Sequence, residues 1–327
     1  TAACYFLQRE YAQTEIPLLK VVRSKAANPR ELRAATQGLI GVYQKLGRRV
    51  DQLHAAFLYE KVGDVNPSEP YGLDQHALYL PAWEWLLDLP YLLDIQLTDD
   101  ELREYLVHYG KQARQIKYPP YHQRNRTAFE AVEYALAVRL ARQEKYSESA
   151  EIYERLDAKP RAKRMRLLTD LYVKAADIAL PVEERLKAQY QYASFLEEHS
   201  TQVFFNDMIW KGFQTSTFLG GYGVESQGFT GEEREHFLRH ERKVKDEQEE
   251  RWRAYHILAA IIEQAGYTEL GNKAAIKAMR CLDLISKERF GRAGEIDQAR
   301  NKLLAWLRGY RRYANDSKTP LGIIGPP

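Results

Sequence analysis

Residues 133–160, EYALAVRLARQEKYSESAEIYERLDAKP, constrain the fold of this chain more than any other stretch. Their apolar residues recur at helical spacing on both sides of a short break, which predicts two amphipathic helices joined by a tight turn. Leu136 and Ala137 are followed by Leu140. After the turn come Tyr146, Ser149 and Tyr153, and Pro160 closes the segment. The residue types imply close packing. Ala137 and Ser149 are small where two helix backbones approach, and Leu136, Leu140, Tyr153 and Leu156 fill the space between. Such a pair cannot bury its apolar face alone and must stack on neighbours. An ordinary antiparallel pair in an irregular bundle would carry the same local pattern.

Two more segments repeat the arrangement. YHILAAIIEQAGYTELGNKAAIKAMRCL places Leu258 and Ala259 before Ile262, Gly266 at the turn, and Gly271, Ala275 and Ala278 along the second helix. LIGVYQKLGRRVDQLHAAFLY sets Leu39, Ile40, Tyr43, Gly47 and Ala56 in the same relative places. On these residues the chain resembles the tetratricopeptide-repeat family, whose pattern runs L-G-x2-Y, then A-x3-F, then P. None of the three segments has the family's Gly in its first helix or its usual opening Trp, and their separations are not multiples of one period. The resemblance implies an all-α, TPR-like α-solenoid of stacked antiparallel hairpins, with the intervening helices as degenerate or longer repeats.

Composition agrees. Hydrophobic residues make up 45% and charged residues 28% of the chain, a globular balance. Good helix formers dominate, and β-branched runs bounded by turns are nearly absent. No run reaches the roughly 18 apolar residues that span a bilayer. Capping signals stand at Asn28-Pro29-Arg30-Glu31, Asn66-Pro67-Ser68-Glu69, Thr98-Asp99-Asp100-Glu101 and Thr230-Gly231-Glu232-Glu233. Helices are expected near 4–25, 30–46, 49–62, 68–88, 99–115, 128–143, 147–157, 161–178, 182–198, 202–214, 231–265, 268–287 and 293–313. They would form one helical-repeat domain over 1–314, bending near 200–231, with a non-helical tail at 315–327 that ends TPLGIIGPP.

Two loop insertions break the helical rhythm. Residues 117–127, KYPPYHQRNRT, combine paired prolines with tyrosines and arginines, and residues 216–231, STFLGGYGVESQGFTG, are Gly-rich with aromatics between. Inserted loops of repeat proteins emerge on one face and often bind something. Tyr118, Tyr121, Arg124 and Arg126 from the first loop, with Tyr222 and Phe229 from the second, are therefore candidate partner contacts. Plain connectors would read the same. The chain also holds 22 tyrosines and 5 tryptophans, types favoured at interfaces. Trp83 and Trp85 are two apart and cannot share a helix face, so Trp83 joins the candidates.

Charge excludes more than it assigns. Lys plus Arg number 48 against 45 for Asp plus Glu, a formal net charge of +3 with no long single-sign block. A nucleic-acid partner is therefore not expected, since such binders concentrate a basic face. The alternative, an RNA- or anion-binding helical repeat, needs residues 161–166 (RAKRMR) and 308–312 (RGYRR) on one face. A second alternative is a helical metal protein or hydrolase. His236 and His240 at i and i+4 could share a zinc ion, but Phe237 stands where H-E-x-x-H carries its base. The surrounding run is polar nearly all round, as a solvated helix is. No nucleophile elbow, phosphate loop or dinucleotide fingerprint is present, so neither an enzyme nor a cofactor is expected.

The chain opens Thr1-Ala2-Ala3-Cys4. Small residues before a cysteine resemble a bacterial lipoprotein processing site, with Cys4 as the lipidated residue. Against this, Thr1 replaces the usual Leu, and a processed chain would lack residues before the Cys. A small-residue site upstream would also fit an ordinary secretory signal. The expectation is an exported protein, periplasmic or associated with a bacterial outer membrane, with the cytoplasm as the alternative. Its expected task is non-catalytic: a scaffold for protein partners in a multi-subunit assembly.

Overall fold

A computed structural model of the chain describes residues 2–62, 89, 92–117, 126–200, 202–208, 249–288 and 293–316. Helices follow one another along it: α1 (Ala2–Leu7), α2 (Tyr11–Arg23), α3 (Pro29–Lys45), α4 (Arg49–Val62), α5 (Asp99–Ala113) and α6 (Ala128–Arg142). Then come α7 (Tyr146–Arg155), α8 (Lys159–Ala176), α9 (Val182–Glu198), α10 (Glu250–Ala265), α11 (Glu269–Glu288) and α12 (Ala293–Asp316). Among the described residues there is no strand, and one isolated bridge pairs Lys117 with Thr127. The chain is all-helical, as its composition requires.

The described residues divide into two compact units. One holds the chain up to Arg139 with 206–208, the other Leu140–Phe205 with 249 onward, so the division falls inside α6. In the first unit α1 packs on α2, α2 on α3, α3 on α4 and α4 on α5. In the second, α7 packs on α8, α8 on α9, α9 on α10, α10 on α11 and α11 on α12. Each of these helices thus packs on the next described helix of its unit, consistent with a helical-repeat fold. In α11 the buried positions are Gly271, Ala274, Ala275, Ala278, Cys281, Leu282 and Ile285. That three-and-four spacing confines burial to one stripe. The small residues singled out from the sequence, Ala56, Ala137, Ser149, Ala275 and Ala278, are all fully buried.

One turn recurs. Leu46-Gly47-Arg48, Gln143-Glu144-Lys145 and Leu156-Asp157-Ala158 each separate two helices by three residues, with the middle residue at φ +69°, +64° and +53°. In each, the N–H of the third residue reaches back to a helix carbonyl: Arg48 to Tyr43 at 2.9 Å, Lys145 to Leu140 at 2.9 Å, Ala158 to Tyr153 at 2.8 Å. This is the left-handed C-cap that satisfies carbonyls left over at a helix end. Only Gly47 takes that conformation without steric cost.

Helix starts follow their capping signals where these are described. Asn28 accepts from Glu31 N at 3.0 Å while Glu31 accepts from Asn28 N at 3.0 Å, with Pro29 first in the helix. Thr98 and Glu101 close the same reciprocal box. The signals at Asn66 and Thr230 lie outside the described residues, as does the helix expected at 68–88.

Three expectations are corrected. The helix over 4–25 is two helices, because Arg9 adopts φ +62° and Glu10 N turns back to Tyr5 O at 2.8 Å. Residues 202–208, expected as the start of a helix, are non-helical because side chains take their backbone groups, as described below. The helix expected from 231 begins at Glu250 among the described residues, since Glu249 is extended at φ −100°, ψ 96°. One element went unforeseen: a π-helical turn at Leu92–Gln96, closed by Leu97 N to Leu92 O at 3.0 Å.

Gln52 on α4 is fully buried, and both polar atoms of its carboxamide lack a hydrogen-bond partner. An unsatisfied buried amide costs about 1–3 kcal/mol. Gln52→Met, which keeps the shape, is expected to raise the denaturant midpoint by a corresponding amount. A lowered midpoint would show that the carboxamide is bonded in solution.

Candidate functional site

Of the candidate partner contacts, Arg126 is described. It is buried, at 9% exposure, and engaged, so it belongs to the root of its loop and not to a free surface. Tyr118, Tyr121, Arg124, Tyr222, Phe229 and Trp83 lie outside the described residues, as do His236, His240 and the tail at 317–327. Cys4, the candidate lipidation site, is an exposed thiol. The other cysteine, Cys281, is buried on α11, and burial pushes its pKa up to about 12, so it stays protonated at neutral pH.

The structure fixes where the first inserted loop leaves the helices. Lys117 and Thr127 pair across its base, and Ala128 N donates to Ile116 O at 2.8 Å. Thr127 caps α6 reciprocally with Glu130: Glu130 N to Thr127 Oγ1 at 3.3 Å, and Thr127 N to Glu130 Oε2 at 2.7 Å. Behind the base, the Arg114 guanidinium lies 3.4 Å from the centroid of the Phe129 ring, and Gly110 leaves room for that ring. Both ends of residues 118–125 are therefore held together on rigid supports, as in a loop presented from a scaffold.

A polar chain ties α2, α3, α4 and α5 together in the first unit. Glu15 accepts from the Tyr43 hydroxyl at 3.0 Å and from Arg48 at 2.8 Å. Arg48 also donates Nε to Asp51 at 2.6 Å, and the other Asp51 oxygen accepts from the Tyr109 hydroxyl. The His54 ring stacks on Tyr109 at 3.9 Å between centroids and 8° between planes, and its Nδ1 lies 3.4 Å from the Tyr105 hydroxyl. Every oxygen of both carboxylates is thus committed. Burial, then hydrogen bonding to the carboxylates, raises the pKa of Tyr43 and of Tyr109. Those hydroxyls stay protonated donors at neutral pH, and the cluster joins the helices.

In the second unit, side chains hold the non-helical residues 203–205. One oxygen of Glu250 accepts from Val203 N at 3.3 Å and Phe204 N at 2.8 Å. Arg142 Nε donates to Phe204 O at 2.9 Å, and Arg161 donates to Phe205 O at 3.2 Å. Arg253 lies over the Phe204 ring at 4.5 Å and donates to Arg142 O at 2.7 Å. Two successive N–H groups facing one carboxylate form a backbone nest. Three charged side chains, Glu250, Arg142 and Arg161, thus do for this segment what a helical ladder does elsewhere.

Arg161 is buried and engaged with Phe205 O, while Arg166 is paired bidentately with Glu154 at 3.0 Å. Arg308, Arg311 and Arg312 are exposed on α12. Among the described residues no group of three or more His, Cys, Asp or Glu could hold a metal ion, and no helix is long and apolar enough to cross a membrane. Nothing among protein-family models, curated proteins or solved structures matches the chain.

Sequence reading missed both polar clusters, because their members are scattered and look like ordinary surface charges. The Thr127 box carried a legible signal, Thr-x-x-Glu, before an apolar run.

Burial lowers the His54 pKa to about 4, and His108 adds to this, while Asp51 pulls the other way. Above pH 6.5, the ordinary histidine value, His54 is neutral whether the chain is folded or unfolded. As pH falls toward 4 the unfolded chain binds a proton that the folded chain refuses. Stability therefore drops, by roughly 3 kcal/mol in full. In His54→Phe, which keeps the stack on Tyr109, the expected loss between pH 6.5 and 4 in denaturant titrations is smaller by about that amount. An unchanged pH profile would show that His54 protonates freely in the fold.

Proposed function

We propose that the chain is a non-catalytic scaffold of degenerate tetratricopeptide-like hairpins that holds a protein partner within a multi-subunit assembly. The observation that carries this reading is the recurrence of one turn. The same three-residue cap joins helices at 46–48, 143–145 and 156–158, and helices pack on their chain neighbours in both units. Repeated hairpins of that kind give a rigid frame with extended surface, suited to holding a folded partner. The pinned root of residues 118–125 supports placing the partner contact at Tyr118, Tyr121 and Arg124, with Tyr222, Phe229 and Trp83 as further contacts. On the same reading the protein acts outside the cytoplasm, at a bacterial membrane surface, with Cys4 as its lipid anchor.

The test is affinity isolation of the full chain from its native source in mild detergent, with mass spectrometry of co-purifying proteins and of the N-terminal peptide. A stoichiometric partner is expected. Binding to that purified partner should weaken at least tenfold in the Tyr118→Ala/Tyr121→Ala/Arg124→Ala variant, at an unchanged melting temperature. A monomer without a partner would overturn the scaffold reading, and an unmodified Cys4 would remove the anchor.

A further inference from the structure

Between Asp297 and Asp316, α12 carries five basic residues, Arg300, Lys302, Arg308, Arg311 and Arg312, and no acidic one. The whole chain has a formal net charge of only +3, so this helix concentrates charge that the rest of the sequence balances. Its inner side is fixed. Ile296, Ala299 and Leu303 are buried, and Trp306 lies 5.1 Å from Tyr267 between ring centroids. Arg300 is spent on the same packing, since it reaches Asp283 of α11 at 2.6 Å. The other four basic residues are exposed, and among the described residues no ion pair engages them. At 100° per residue, Arg308, Arg311 and Arg312 fall within about 100° of arc, roughly opposite Ala299 and Leu303. Leu304, 43% exposed, stands one turn before Arg308 on that side. Lys302 and the exposed Tyr313 flank it, about 80° and 100° round from Arg312.

Guanidinium forks match phosphate oxygens, and these three lie within about 6 Å along the axis. That is the reach of neighbouring headgroups. An aliphatic side chain and a tyrosine beside the charges suit the same zone, where one end of a side chain is wet and the other apolar. Single-stranded nucleic acid fits less well, because it wants several open ring faces. Here Trp306 and Tyr310 lie nearly parallel at 5.7 Å, each spending a face on the other, and Tyr267 stands against both.

We propose that the exposed side of α12 docks on the anionic headgroups of a phospholipid membrane. Arg308, Arg311 and Arg312 take the phosphates, with Lys302 flanking them and Leu304 and Tyr313 at the edge of the acyl region. The inference deepens the membrane-surface reading above and rests on it for the source of the phosphates. A single acyl chain holds a protein only marginally, and a basic patch is a second contact that makes the hold stable. None of the proposed partner contacts is used.

The test floats the full chain, made unlipidated by Cys4→Ser, with vesicles of phosphatidylcholine alone or with one third phosphatidylglycerol. Binding to the anionic vesicles alone is expected, and high salt should release it. Each basic residue near an anionic leaflet strengthens binding about fivefold. Arg308→Gln/Arg311→Gln/Arg312→Gln should therefore weaken it at least tenfold at an unchanged melting temperature. Lys25→Gln/Lys163→Gln/Lys174→Gln removes equal charge elsewhere and is expected to bind as the parent does. No flotation, equal flotation with both vesicle types, or equal loss in the two triple variants would each overturn the proposal. So would a labelled single-stranded RNA that binds the chain and outcompetes the vesicles, which assigns the stripe to nucleic acid. A lipidated Cys4 in the native protein with no flotation here would keep the membrane-surface reading and strike only this one.

Discussion

A short amphipathic helix cannot hide its apolar stripe by itself, and that constraint organises every described part of this molecule. From α1 to α5 in one unit and from α7 to α12 in the other, each helix packs on the next described one. Short turns make this arrangement available, because a three-residue reversal brings the second helix back against the first. The left-handed residue in the middle of three such turns spends the spare carbonyls of one helix before the next begins.

Where a helical ladder is absent, buried charge replaces it. Residues 203–205 lack intrahelical partners, and Glu250, Arg142 and Arg161 take over their N–H and carbonyl groups. The exchange works because main-chain groups removed from water must be bonded to something. It also explains why these charges sit inside. Each is matched to a polar group, and removing the match would leave a buried charge alone.

Periodicity made the helices legible. Spacing and residue type place Leu136, Leu140, Tyr153 and Leu156 in the interior, and all are buried. Capping chemistry located the starts of α3 and α5, since Asn28 and Thr98 act over three residues. What escaped was non-local or unfavoured by propensity. Arg9, Glu144 and Asp157 adopt left-handed backbone that their side chains do not announce. The strap at 203–205 reads as helix, and only a carboxylate 46 residues downstream of Phe204 explains why it is not. The reach of Arg142 to a distant carbonyl is likewise invisible in ALAVRLAR, where it looks like any helix arginine. As for the candidate site, the sequence supplies candidate residues, Tyr118, Tyr121 and Arg124 among them, and the structure adds the pairing of Lys117 with Thr127 on either side of them.

The bond from Arg253 to the carbonyl of Arg142 joins positions 111 residues apart. A chain made from its N-terminus at about 5–20 residues per second completes that contact on the order of 10 s after Arg142 is made. Within that interval α7, α8 and α9 can already stack, and Arg142 and Arg161 meet their acceptors once Phe204 and Phe205 are made, while Val203 N and Phe204 N wait for the Glu250 carboxylate. The second unit therefore has a built-in order of assembly. Hairpins form first from local contacts, and the interior closes only when the residues around Glu250 arrive to take the strap.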